Sequence, residues 1–397
     1  MSKQPPFARL GASVLLATLI AGTAQPAVAA EFPTPLPLET IPATATLPAK
    51  FPDHWILVHD FNFVSILDGR AAVVDVMAEH THLKGQIPVP QFGTVIASST
   101  RPEIYTGDTY FSRLTRGERT DVVTIWDTAT LSPKAEVPLP GNKRGQMVTI
   151  KNAFQLVNDE KWLLVYGFTP AASVYVVDLD QRKVINDIPI PGCSMMYPTG
   201  QRGFSTLCAD GTLSTITLDE AAQVAATTTT PAAVNDLDHD PMFMMPARVG
   251  GTSWFITFKG NVHGFDLSGS TARDLGSFPL GTASGGSPEW RPGGWQVASS
   301  DAAGRIYVLM NPNGREGSHK DGGTEVWVVD PLKRTRLQRI ALANHGVSIE
   351  VTRQAEPRLV VARADGALDV YEAKSGRLER SLGGAIALSP LTISAFP

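Results

Sequence analysis

Apolar and polar positions along this chain alternate in short bursts, and one phrase built from them returns seven times. Each copy carries an apolar strand, an acidic residue, a polar turn and a second strand. It reads VTIWDTATLSPKAEVPLP from Val123, VYVVDLDQRKVINDIPIP from Val174 and EVWVVDPLKRTRLQRIALA from Glu325. The acidic pivots are Asp75, Asp127, Asp178, Asp219, Asp266, Asp330 and Glu372. Their spacing averages roughly 50 residues, a propeller-blade length rather than that of a horseshoe or helical repeat. Val, Ile, Thr, Trp and Tyr runs bounded by Gly, Pro, Asn and Asp predict strands, and no long helical period competes. The expected fold is all-β: a seven-bladed β-propeller of four-stranded antiparallel blades over residues 51–397. A propeller also accommodates the length, because each blade packs mainly on its neighbours. The segment GTASGGSPEWRPGGW is the largest interruption, between the fifth and sixth copies.

The N-terminus departs from this pattern. Lys3 and Arg9 precede the apolar run LGASVLLATLIAG, and small residues follow at Ala27 and Ala29. That order is a secretory signal, expected over residues 1–30. The run of about 13 residues is too short to span a bilayer. Residues 31–50 are Pro- and Thr-rich and are expected to form an N-terminal arm with little packing of its own. An exported chain with two cysteines, Cys193 and Cys208, is expected to join them in a disulfide. Their flanks read as neighbouring strands.

Charge narrows the function. With 34 Lys and Arg against 38 Asp and Glu, the chain is mildly acidic and has no nucleic-acid footprint. The pivots are expected to cap turns, since an Asp carboxylate accepts from backbone N–H groups two residues on. On a strand His80 and His82 would share a face, but no third ligand at a recognisable spacing completes a metal site, and a surface turn or strand edge is expected. His319 sits in a charged, Gly-bounded loop with Arg315, Glu316, Lys320 and Asp321, a solvated connection or a binding loop. Arg113, Arg116, Glu118, Arg119 and Asp121 precede a strand and are expected to form ion pairs. No nucleophile elbow, Walker loop or dinucleotide fingerprint occurs in a usable context, and no catalytic set emerges. Such a chain suits a scaffold, a binding module or a subunit whose partner does the chemistry.

Taken in order, FSRLTRGERTDVVTIWDTATLSPKAEVPLP, the Cys193 to Cys208 segment, WRPGGW from Trp290 and NPNGREGSHKDGGTEVWVVD resemble the heavy subunit of the quinoprotein amine dehydrogenases. GERTD and WRPGGW are nearer the methylamine type. GREGSHK and the DHDP segment lean toward the aromatic amine type. The resemblance implies a periplasmic propeller without catalytic residues of its own. Its partner would be a small light subunit, two heavy with two light, carrying tryptophan tryptophylquinone. The assembly would oxidise primary amines to aldehyde and ammonia and pass electrons to a blue copper protein, azurin or amicyanin. Phe92 is the nearest match to a heavy-subunit Phe that lines the substrate channel, and Cys193 and Cys208 match the family's heavy-subunit disulfide. Such a subunit must expose an apolar patch, for which MFMM from Met242, Trp290 and Trp295 are candidates. The alternatives are a stand-alone periplasmic propeller binding module without redox activity, or a self-contained propeller enzyme holding calcium.

Overall fold

The computed structural model describes residues 46–281, 290–384 and 386–396. The signal expected over residues 1–30, residues 31–45 of the arm and residues 282–289 of the interruption lie outside the described residues. Residues 46–50 of the arm lie against the second sheet: Leu47 N–H donates to the Ala129 carbonyl at 2.8 Å, and Thr128 Oγ1 donates to the Ala49 carbonyl at 3.0 Å.

The fold is an all-β propeller of antiparallel sheets. The blade count differs from the sequence expectation. Instead of seven separate four-stranded blades, the described residues form five four-stranded blades and one continuous eight-stranded sheet. The cause is a single extended strand, Thr335–Val351, 17 residues long. Its first part pairs with Gly323–Asp330 and its second with Arg358–Arg363. Gly346 takes part in both pairings, opposite Gly323 and opposite Arg363. Where the repeat pattern implied a break between sheets, the backbone stays extended and the ladder runs on.

The repeated acidic residues do what turn chemistry predicts. Asp75 Oδ1 accepts from the N–H groups of Met77 and Ala78 at 2.9 and 3.0 Å. Asp127 repeats this with Ala129 and Thr130, Asp219 with Ala221 and Gln223, and Asp330 with Leu332 and Lys333. At Asp266 the Ser268 hydroxyl and N–H, with Arg273, hold the carboxyl down to about 2. These turns all lie at one end of their strands.

Chain closure comes from the two ends. Trp55–Asp60 pairs on one side with Arg70–Asp75 and on the other with Pro390–Ala395, so the first and last described strands share a sheet. Apolar side chains of adjacent sheets interlock between them; one cluster joins Trp162 and Val176 to Tyr197 and Phe204 and on to Phe255 and Phe265. A buried polar cluster ties distant sheets together. Lys151 Nζ donates to Glu350 Oε2 at 2.8 Å and also to the Ile393 carbonyl. Gln296 Nε2 reaches Glu350 Oε2 and the Ile393 carbonyl, each at 3.0 Å, while its Oε1 accepts from Ile393 N–H at 2.9 Å. Burial pushes the Glu350 carboxyl up, but Lys151, Arg353 and the Ser299 hydroxyl outweigh it and hold the group below its ordinary value.

Two outcomes follow from this packing. Ile393 is fully buried in the closing strand; Ile393→Ala is expected to cost about 2–5 kcal/mol in denaturant unfolding. A cost near zero would contradict closure by this strand. His59 is buried, and its Nε2 has no partner among the described residues. Burial, opposed by Asp60, lowers it to about 3 from 6.5. A depressed histidine stabilises the fold fully above its unfolded value and loses that stabilisation as pH falls from about 6.5 toward 3. His59→Phe is expected to flatten the acid decline by up to about 1.4 kcal/mol per pH unit. Unfolding midpoints measured from pH 4 to 7 check this, and parallel declines in the two proteins would contradict it.

Candidate functional site

The face opposite the Asp turns gathers exposed apolar side chains. Phe63, Val64, Tyr110, Leu114, Met147, Phe168, Leu237, Met244 and Leu388 are all exposed there, on loops or on one long hairpin. Val64 is 86% exposed and Leu114 77%. Only Val224, Leu332 and Leu337 among the exposed large apolar residues described lie elsewhere. Exposed apolar side chains scattered singly are ordinary, but gathered on one face they mark an interaction surface.

This face contains a basin of about 930 Å³. Phe168, Met244, Phe258 and Trp295 line it, with the Cys193–Cys208 bridge in its wall. The bridge joins residues directly opposite on adjacent strands, Cys193–Thr199 and Gly203–Cys208, as the sequence predicts. The Met-rich rim is held from below. Asn235 Oδ1 accepts from Met242 N–H at 2.9 Å, and fully buried Tyr197 donates its hydroxyl proton to the Met244 carbonyl at 3.0 Å. Asp240 of the DHDP segment accepts from Thr257 Oγ1, Lys259 N–H and Asn261 Nδ2, fixing the loop to the next blade. Of the MFMM run, Met242, Phe243 and Met245 are core and Met244 alone faces out. Trp295 lines the basin, whereas Trp290 packs against the core near Trp327.

His319 stacks on Phe258, ring centroids 4.0 Å apart, at the basin's polar side. Burial and neighbouring Lys320 lower its pKa below the ordinary histidine value. The charged loop around it is therefore part of the basin wall. His80 and His82 lie in the turn between two strands rather than on a strand face. Among the described residues no group of three His, Cys, Asp or Glu side chains could hold a metal ion.

The hairpin Glu103–Arg113 and Arg116–Asp127 is the longest feature of this face. Its neighbours stop at Gly107 and Asp121, so the two strands continue alone to a tip carrying Arg113, Leu114 and Arg116. At its base the expected ion pair forms: Arg119 grips Asp121 with two bonds of 2.9 Å, and Asp121 is 1% exposed. Asp108, fully buried beside it, is raised to about 6 by burial.

Phe92 does not line the basin. It is half-buried on the same face, 6.3 Å from the Phe63 ring. Gln91 and Phe92 form the centre of a turn closed by Gly93 N–H donating to Pro90 O at 3.0 Å, and both have positive φ, 55° and 54°. Non-glycine residues in this region cost about 1–3 kcal/mol each and persist only when their surroundings impose them. Phe168, Leu237 and the buried Arg144 behind Phe92 carry no signal in the sequence. They sit in loops whose composition gives no indication of which side chain faces out.

Residues 56–392 match the methylamine dehydrogenase heavy chain family. The heavy chain from Methylobacillus flagellatus is 28% identical over 382 residues, covering 93% of this chain and 94% of that one. The heavy chain from Paracoccus versutus is 32% identical over 277 residues, covering 69% and 64%. Among solved structures, a protein from Desulfotomaculum acetoxidans has a TM-score of 0.56 at 12% identity, covering 87% of this chain and 100% of that one. A dihydro-heme d1 dehydrogenase has a TM-score of 0.51 at 16% identity, covering 91% and 79%. These two likenesses concern the fold alone. The match across almost all described residues makes this chain a member of the methylamine dehydrogenase heavy chain family, and so a subunit of an amine-dehydrogenase oxidoreductase.

Proposed function

We propose that this chain is the heavy subunit of a periplasmic amine dehydrogenase and seats a light subunit on its apolar face. One observation carries the proposal: nine of the twelve exposed large apolar side chains described gather on the face that holds the basin. A stable heterodimer needs about 800 Å² from each partner, centred on desolvated apolar anchors. Phe168 and Met244 at the basin, with Leu114 on the projecting hairpin, supply such anchors. The heavy-chain family implies a light-chain partner and a tryptophan tryptophylquinone enzyme. The signal sequence over residues 1–30 supports export. The assembly contains two heavy and two light subunits.

The reaction is RCH2NH2 + H2O → RCHO + NH3 + 2 e⁻ + 2 H⁺, with the electrons leaving to a blue copper protein such as azurin or amicyanin. When bound, the quinone accepts the electron pair. Its placement on the light subunit is supported by the tryptophans here. Trp290 and Trp327 rings lie 5.6 Å apart, but Trp327 is fully buried and its indole N–H donates to Glu325 Oε2 at 2.8 Å. Arg336 and Arg339 stack over the Trp327 ring. A ring buried and capped in this way does not suit a quinone that meets substrate. What this chain contributes is a rigid apolar wall that excludes water from the interface, with Phe92 lining the channel through which the amine enters.

Placing a charge in a desolvated interface is expected to weaken it strongly. Phe168→Asp and Met244→Asp should each raise the dissociation constant for the light subunit about tenfold or more, equivalent to about 1.4 kcal/mol, and lower amine-dependent dye reduction accordingly. Leu332→Asp, on the opposite face, should change neither. Unaltered binding in both basin variants, measured by calorimetry, would overturn the assignment of this face.

A further inference from the structure

The turn that carries Phe92 is held in an unfavourable backbone conformation, and the structure shows what holds it. Two adjacent residues with positive φ normally call for Gly, Asn or Asp, yet the chain has Gln91 and Phe92. Four bonds fix the turn. Gly93 N–H closes it on Pro90 O, Gln91 N–H donates to the Ile66 carbonyl at 2.9 Å, and Thr149 Oγ1 donates to the Gly93 carbonyl at 3.0 Å. The fourth comes from a charged side chain: Arg144 Nη2 donates to the Phe92 carbonyl at 3.2 Å.

Arg144 is 3% exposed, and a buried guanidinium needs its own partners. Its Nη1 donates to Thr109 Oγ1 at 2.7 Å. Its backbone N–H donates to Asp121 Oδ2 at 3.0 Å, and its carbonyl accepts from Arg119 Nη2 at 2.6 Å. Thr109 in turn donates to Asp121 Oδ1 at 2.7 Å. All of these partners belong to the base of the projecting hairpin. Arg144 therefore bridges two features of the apolar face that are remote in sequence: the hairpin that reaches outward and the strained turn under Phe92. Only a fork can hold both ends. Nη1 and Nη2 engage different acceptors at fixed separation, a geometry that a lysine ammonium does not supply.

We propose that Arg144 is a positioning residue that sets where the Phe92 ring stands, and through it the size of amine the assembled enzyme accepts. This rests on the reading that Phe92 lines the amine channel. Loss of the fork lets the Pro90–Gly93 turn relax toward negative φ, which swings the ring away from its observed place near Phe63. The hairpin base and the channel wall are thereby one rigid unit, ordered by Thr109, Asp121 and Arg144.

The test is steady-state kinetics of the assembled heavy and light subunits with primary amines from methylamine to an arylalkylamine. Arg144→Lys keeps the charge and removes the fork. Thr109→Val removes an anchor of the fork without altering any charge, and it carries the test if Arg144→Lys does not assemble. Each is expected to shift the ratio of kcat/KM between bulky and small amines about tenfold, in the direction given by Phe92→Ala. The decisive arm is the double variant: in a Phe92→Ala background, adding Arg144→Lys or Thr109→Val should shift the ratio no further. A shift of the same size in both backgrounds would overturn the proposal, since the two residues would then act independently. So would a shift from Phe92→Ala with none from either anchor variant. If Phe92→Ala itself leaves the ratio unchanged, the channel reading fails, and the positioning role fails with it.

Discussion

The pairing of Trp55–Asp60 with Pro390–Ala395 is the contact on which the rest of the structure depends. A row of sheets that pack only on their neighbours has two ends, and each end presents an apolar face and an unpaired strand edge. Here the first and last described strands share one sheet, so neither end is left open. Ile56 and Val58 from one side and Ile393 from the other are fully buried as a result. The polar cluster of Lys151, Gln296 and Glu350 depends on the same closure, because two of its bonds go to the Ile393 carbonyl. Breaking a buried charge pair by removing one partner typically costs several kcal/mol, so the closing strand and the cluster stabilise each other.

Closure also divides the labour between the two faces. On one side the recurrent acidic residues cap their turns through local hydrogen bonds. On the other the connections are longer and irregular, and they are held by side chains from other blades: Tyr197 under Met244, Asp240 across to Asn261, Arg144 under Phe92. Rigid support of exposed apolar groups suits a surface that meets a partner, because little ordering remains to be done on binding.

Much of this was legible in the sequence because it is local. The Asp caps act over two or three residues, so they recur as a readable phrase, and the Cys pair sits on consecutive strands. The blade count was not legible. Thr335–Val351 keeps strand-like alternation through the place where a new sheet was expected, and nothing in ALANHGV compels a turn. His80 and His82 lie in a turn, the reading their surroundings favoured, and Thr81 between them has φ 48°. The candidate site was half legible. The resemblance pointed to Phe92, and an apolar patch was expected. Which methionine of MFMM faces out depends on Tyr197 and Asn235, and Arg144 depends on Thr109 and Asp121. Those contacts exist only once the blades are assembled.

The most direct test of the account is to purify the tagged chain from its source cells and record the visible spectrum and intact masses of what elutes with it. The account predicts a small cysteine-rich chain in equal amount, bearing the mass change of a cross-linked tryptophan quinone, with a visible band that bleaches on adding a primary amine. A heavy chain that elutes alone and colourless, or a band that stays with this chain once the small one is removed, would contradict it.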